Sequence, residues 1–164
     1  NMIHIDRSAR GDAWSKVASM GEMLMDRGKW VIMFPEGTRS ERGAQGVYKT
    51  GAARLAIATG ASIVPIAVAS ARCWPRKSFT FIPGTVAVSF GPPIAPSPGE
   101  SAADLMKKVS EWIEEEMRRI DADAYPESER IPDPLQQEAT LSAALEAQAA
   151  AARAAQGGLP DDNA

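Results

Sequence analysis

Trp30-Val31-Ile32-Met33-Phe34 is a continuous apolar run that leads directly into Pro35-Glu36-Gly37-Thr38-Arg39-Ser40. A continuous apolar run of strand length is typical of a strand covered on both faces, so residues 30–34 are expected to form a buried strand that delivers a polar loop. The loop holds a carboxylate, a glycine, a hydroxyl and a guanidinium within a few residues of a rigid support, the set needed to grip a phosphorylated polyol. Pro and Gly also punctuate ordinary surface turns. The flanking sequence decides between the two readings.

Upstream, Trp14, Val17, Met20 and Leu24 recur at helical spacing, with Met23 alongside. This predicts a helix over 12–27, capped by Asp12 and ended by Gly28 in a left-handed conformation. Further upstream lies a second polar cluster, Ile5-Asp6-Arg7-Ser8, after a short apolar strand. Downstream, residues 40–46 are polar and glycine-rich, which predicts a loop at the mouth of a site. Lys49 then opens a helix through Ala52, Ala53, Leu55, Ala56 and Ile57 that closes at Gly60 and feeds a strand over 62–69. Pro65 removes one backbone donor from that strand, which argues for an edge position or a bulge. Phe79, Phe81, Val86, Val88 and Phe90 around Pro83-Gly84 read as a hairpin. Ser101 with Asp104 reads as a capping box before the stripe Leu105, Met106, Val109, Trp112, Ile113, Met117 and Ile120. The domain is expected to span 1–125. Residues 126–164 form a linker and an Ala- and Gln-rich tail, expected to be a frayed helix or disordered because its side chains bury little area.

Composition sets bounds. The chain has 164 residues, 45% apolar and 24% charged, ordinary for one globular domain. A formal net charge of −3 and a pI near 5.3 give no reason to expect nucleic acid. One cysteine, Cys73, and one histidine, His4, leave neither an internal disulfide nor a metal-binding cluster. The longest apolar stretch, residues 63–71, is interrupted by Pro65 and Ser70 and falls well short of the roughly 20 residues that span a bilayer.

In order and spacing, Ile5-Asp6-Arg7, then Pro35-Glu36-Gly37-Thr38-Arg39, then Tyr48-Lys49-Thr50-Gly51-Ala52, then Val64-Pro65-Ile66 resemble the glycerolipid acyltransferase family, specifically the lysophosphatidate (1-acyl-glycerol-3-phosphate) acyltransferases. The resemblance implies a partial α/β fold of that family, a mixed sheet flanked by helices with a low-complexity C-terminal tail. Three of the family's four sequence blocks are matched. The fourth, a histidine and aspartate separated by four residues, is not: the position that would follow His4 is Ala9. On an alternating strand His4 is expected at the sheet edge or beside Asp6. The chain is therefore expected to be the carboxy-terminal piece of a longer enzyme whose upstream part supplies the catalytic base and any membrane anchor. No residue of this chain is assigned a catalytic or metal-binding role.

The resemblance implies transfer of a fatty acyl group from acyl-CoA or acyl carrier protein to 1-acyl-sn-glycerol-3-phosphate, giving phosphatidic acid without a cofactor. It implies that Arg7 and Arg39 hold the acceptor's phosphate, a role suited to the forked guanidinium. Glu36 would position the acceptor or the loop, Gly37 would admit backbone close to the ligand, and Thr38 and Ser40 would donate from their hydroxyls. Lys49 would add a positive field; the alternative for it is a solvated lysine at a helix start. For Arg7 the alternative is a salt bridge with Asp6 or Glu36, and Arg10, Arg42 and Arg54 are weaker candidates. A membrane surface is an expected partner, with Trp74 and Phe79 as interfacial contacts, at the cytoplasmic face of the inner membrane. The runner-up functions are a lysolipid-phosphate binding fragment without turnover and an acyltransferase that uses another lysolipid acceptor. A phosphosugar- or nucleotide-binding α/β domain is disfavoured because no phosphate-cradling glycine loop is present.

Overall fold

The computed structural model describes residues 10–156. Arg7, His4 and the Ile5-Asp6-Arg7 block lie outside the described residues, as does the end of the tail from Gly157. The chain runs α1 (Arg10–Asp26), α2 (Gly51–Thr59), β1 (Ile66–Val68), β2 (Val88–Phe90), α3 (Ala102–Ile120), two 3-10 turns (Ala122–Ala124 and Glu127–Glu129) and α4 (Pro134–Gln156).

Helix ends follow the local signals closely. Gly28, directly after α1, and Gly60, the C-cap of α2, both take positive φ, 69° and 68°. Ser101 caps α3, its hydroxyl accepting from the Asp104 amide at 3.1 Å. The Asp104 carboxylate accepts from the same hydroxyl at 2.6 Å, so both side chains are fixed at the helix start. Asp12 is a correction. Helix α1 begins at Arg10, which places Asp12 inside the first turn and not at the cap.

The core forms where α2 lies against α3. Ala53 and Ala56 of α2 meet Leu105, Met106 and Val109 of α3, with Tyr48, Ile63, Ile94 and Ile113 around them. The small alanines let the two helices approach, and the larger α3 side chains fill the contact. Each large apolar side chain removed from water here contributes about 1.5–3 kcal/mol. On β1 only Ala67 turns inward, while Ile66 and Val68 face out.

Strands β1 and β2 form an antiparallel ladder with Ile66 opposite Phe90 and Val68 opposite Val88. An isolated bridge joins Ile63 to Ile94. Two residues separate Ile63 from Ile66, whereas three separate Phe90 from Ile94, so the second strand carries one extra residue. This is a β-bulge in residues 91–93, opposite Pro65, whose carbonyl accepts from Gly91 N–H at 2.9 Å. Of the edge position or bulge expected from Pro65, its strand has the edge position in the described two-stranded sheet and faces a bulge in its partner; the regular ladder begins only after Pro65, so the strand expected over 62–69 is shortened to Ile66–Val68.

Two further expectations are overturned. Residues 30–34 form no strand, and Trp30 and Phe34 are each 83% exposed. An apolar run needs a ladder partner to become a buried strand, and none of the described residues supplies one. The hairpin around Pro83-Gly84 also does not form. The alternation from Val86 to Phe90 does mark a strand, but its partner is β1, reached across a long connection in which Ile82 N–H donates to the Cys73 carbonyl at 2.8 Å. Helix α4 is helical over Pro134–Gln156, and from Gln137 to Ala150 its side chains are exposed.

Candidate functional site: a cleft beneath the Pro35–Arg39 loop

The loop after residue 34 is held by short-range bonds. Gly37 takes φ +70° and its N–H donates to the Phe34 carbonyl at 3.1 Å, closing a turn. Lys49 N–H donates to the Pro35 carbonyl at 2.9 Å, tying the loop to the start of α2. The Ser40 hydroxyl donates to Glu36 Oε2. Gly46 packs directly on that pair: a Cβ there would lie 2.3 Å from Glu36 Oε2 and 2.7 Å from Ser40 Oγ. A side chain at 46 would thus break the bond that orients Glu36.

The loop roofs a cleft of about 270 Å³. Glu36, Thr38, Arg39 and Ser40 line one side, with Arg42 and Tyr48 beside them. Val68 at the end of β1, Ser70, Ala71 and Trp74 after it, Glu114 and Met117 of α3, and Asp121 and Tyr125 just beyond α3 complete the wall. Four of the expected binding residues are therefore gathered in one cavity. Gly37 and Lys49 stand just behind it; the Lys49 ammonium lies against Gly37, 2.8 Å from where a Cβ would be.

The electrostatics of the cleft divide its cations into engaged and available ones. The Arg42 guanidinium grips Asp121 through two bonds, Nε to Oδ2 at 3.0 Å and an Nη to Oδ1 at 2.6 Å, and reaches Asp123 at 2.9 Å. Arg72 joins the same two carboxylates, lying 2.9 Å from Asp121 and also bonding Asp123. Asp121 is 1% exposed, so this four-charge cluster is partly desolvated. Its hydrogen bonds to Asp121 push Arg42 further above its already high ordinary value, and the Arg42 bond holds Asp123 below the usual carboxylate range. Gly43, at φ +75°, sits against the turn after α3, where a Cβ would lie 2.2 Å from the Ala124 carbonyl oxygen.

Arg39 is held differently. Its guanidinium stacks 4.2 Å from the centroid of the Trp74 ring, and among the described residues it forms no ion pair with a carboxylate. Trp74 is itself fixed: its indole N–H donates to the Ser78 carbonyl at 3.0 Å, its backbone N–H donates to the Ser70 carbonyl at 2.8 Å, and its ring meets Phe81 at 4.8 Å. Stacking occupies the guanidinium's face and leaves its in-plane donors for a ligand. Arg54, by contrast, stacks on Trp14 at 4.2 Å, away from the cleft.

Deeper in the wall, the Tyr48 hydroxyl donates to Glu114 Oε1 at 2.8 Å. Burial first, and then the Glu114 carboxylate, push the phenol well above its ordinary value, so Tyr48 stays a donor. Sequence reading missed Tyr48, Glu114, Asp121 and Asp123 and undervalued Arg42. Glu114 stands three residues before Met117 at the border of the apolar stripe, where a carboxylate reads as solvated. Only Tyr48, next to Lys49 in a motif already singled out, offered a signal.

Residues 1–69 match a family model described as Acyltransferase. The 1-acyl-sn-glycerol-3-phosphate acyltransferase of Pseudomonas aeruginosa is 34% identical over 134 residues, covering 80% of this chain and 51% of that protein. Over these stretches the chain is similar to acyltransferases. The human 1-acyl-sn-glycerol-3-phosphate acyltransferase alpha is 34% identical over 105 residues, 63% of this chain and 37% of that protein. The crystal structure of the 1-acyl-sn-glycerophosphate (LPA) acyltransferase PlsC from Thermotoga maritima superposes with a TM-score of 0.55 at 27% identity, covering 64% of this chain and 42% of the other. The chain thus spans about half, or less, of the length of these relatives, and the match to the family model ends at residue 69, just past β1. The cleft extends further, because Trp74, Glu114 and Asp121 come from beyond that limit. Among the described residues, no group of three or more His, Cys, Asp and Glu side chains is placed to hold a metal ion, and no helix is long and apolar enough to cross a membrane.

Proposed function

We propose that the chain forms the acceptor-binding part of a 1-acylglycerol-3-phosphate O-acyltransferase, holding a lysophosphatidate while its free hydroxyl takes an acyl group from acyl-CoA or acyl carrier protein. The reaction forms an ester C–O bond at the thioester carbonyl and breaks its C–S bond; the hydroxyl proton goes to a base and the thiolate leaves. It needs no further cofactor. The observation that carries the reading is Arg39, a cation in the cleft wall held by a π-face and not neutralised by a described carboxylate. The Thr38 hydroxyl stands beside it, with Glu36 oriented by Ser40 to receive a hydroxyl of the acceptor's glycerol. Lys49 adds positive field from behind the loop, and Arg7 belongs to the same proposal through its matching motif. Since no described residue is a histidine, the reading assigns the grip to these residues and the proton transfer to none of them. The lipid acceptor of the proposed reaction supports a position at a membrane, which we assign to the cytoplasmic face of the inner membrane.

The test is paired. Binding of a short-chain, water-soluble lysophosphatidate to the chain is measured by calorimetry, and acyl transfer from labelled oleoyl-CoA to the same acceptor is measured in parallel. Arg39→Ala is expected to weaken binding about tenfold or more, in line with loss of a charge-assisted bidentate contact, with Glu36→Ala weakening it less. No binding by the wild type would sink the reading. Binding without transfer would favour the second reading, a lysolipid-phosphate binding fragment without turnover, which the lack of a described histidine supports. Tighter binding of a different lysolipid would move the assignment to another acceptor.

A further inference from the structure

The segment from Trp74 to Ile82 protrudes with its apolar side chains outward. Phe79 is 102% exposed, and Phe81 and Ile82 are 65% and 52% exposed. Such exposure in a loose tail would mean little, but this loop is built. Ser78 N–H donates to the Pro75 carbonyl at 3.2 Å, Ser78 Oγ and Thr80 exchange bonds at 3.0 Å, and Lys77 turns the chain at φ 62°. The Trp74 indole N–H bonds the Ser78 carbonyl from within, and Ile82 N–H closes the base on the Cys73 carbonyl. With four of its backbone N–H groups bonded, at Trp74, Ser78, Thr80 and Ile82, the loop holds its phenylalanines outward in a defined shape and at a lower polar cost than an unbonded chain would carry.

Charge points to the kind of medium. Arg76 and Lys77 are exposed at the loop's turn; Arg76 lies 3.4 Å from the exposed Glu41, and Lys77 forms no ion pair among the described residues. Exposed aromatics bordered by basic side chains complement a surface that is anionic outside and apolar beneath. A second copy of this chain offers a net negative body but no such layered order.

We propose that the loop Trp74–Ile82 docks on an anionic lipid bilayer, inserting Phe79, Phe81 and Ile82 among the acyl chains while Arg76 and Lys77 meet the headgroups. Trp74 joins this surface to the cleft, because the ring packed on Phe81 also carries Arg39. A lysolipid held in the bilayer by its tail would thus find Arg39 at headgroup level. That last step rests on the function proposed above; the docking does not.

The experiment is flotation of the chain with vesicles of phosphatidylcholine alone or in equimolar mixture with phosphatidylglycerol. Phe79→Ser/Phe81→Ser is expected to lower the vesicle-bound partition about tenfold or more. Arg76→Gln/Lys77→Gln is expected to lower it by a similar factor on the anionic vesicles only, and it changes no apolar contact, which guards against loss of fold. The control Trp30→Ser/Ile32→Ser, altering exposed apolar residues elsewhere, is expected to float like the wild type. Undiminished flotation of the Phe79/Phe81 variant, or loss confined to the Trp30/Ile32 control, overturns the proposal. So does a dimer in sedimentation that the Phe79/Phe81 change dissolves while vesicle binding persists. Failure of lysophosphatidate binding alongside normal flotation would strike the function and leave the docking surface standing.

Discussion

Tyr48 and Glu114 stand 66 positions apart and meet at 2.8 Å, a pairing that no local pattern announces. Tyr48→Phe removes the hydroxyl and leaves the buried Glu114 carboxylate without that donor, which is expected to cost about 1–3 kcal/mol in chemical denaturation. The pH dependence has a definite sign. A phenol whose folded value is raised contributes stability that is fully present below its unfolded value near 10 and is lost as pH rises through the folded value. Wild type should therefore lose stability above about pH 10, and Tyr48→Phe should show a shallower alkaline fall. Equal slopes would remove Tyr48 from the account. The loop residues Glu36, Thr38, Arg39 and Ser40 were legible in the sequence because they are contiguous and keep a recognisable spacing. Arg39's partner was not, since Trp74 lies 35 positions on and reads alone as a surface aromatic.

At the level of elements, what succeeds and what fails in sequence reading divides by range. The Ser101 cap, the α3 stripe and the glycines that stop α1 and α2 are decided within a few residues, and each was readable. Strands are decided by partners. Residues 30–34 had the composition of a strand and no ladder among the described residues, and β2 had the right period but a partner across a long connection. Helix α3 organises the rest because its buried face meets α2, β1 and the cleft. Leu105→Ala, at a fully buried position, is expected to destabilise the chain by about 2–5 kcal/mol, measured by urea titration. A loss below about 0.5 kcal/mol, the range of surface changes, would show that this face is not the core.

For the molecule as a whole, the cluster of Arg42, Arg72, Asp121 and Asp123 acts as a latch between three distant segments: the loop after Ser40, the chain after β1 and the turn after α3. Asp121→Asn keeps the shape and removes the charge that both arginines share. It is expected to lower stability by roughly 1–3 kcal/mol and to speed amide exchange at Gly43 and Ala44; unchanged exchange would mean that the loop is held by other contacts. Asp123 gives the latch a pH sign. Its folded value is lowered by Arg42, so its contribution is present above the ordinary carboxylate range and lost as pH falls through the lower folded value. The gap in Tm between wild type and Asp123→Asn should therefore close on acidification.

The bulge opposite Pro65 has a consequence for how this chain can change over generations. Ala67 and Ile63 both turn toward α3, and they face Ser89 and Ile94, positions of opposite parity. Only the extra residue between Phe90 and Ile94 lets one strand serve the same side twice. Many side chains could occupy Pro92 or Pro93, but losing either position would swing Ile94 out of the core. Inheritance can rewrite the letters of that short stretch far more readily than it can alter their number.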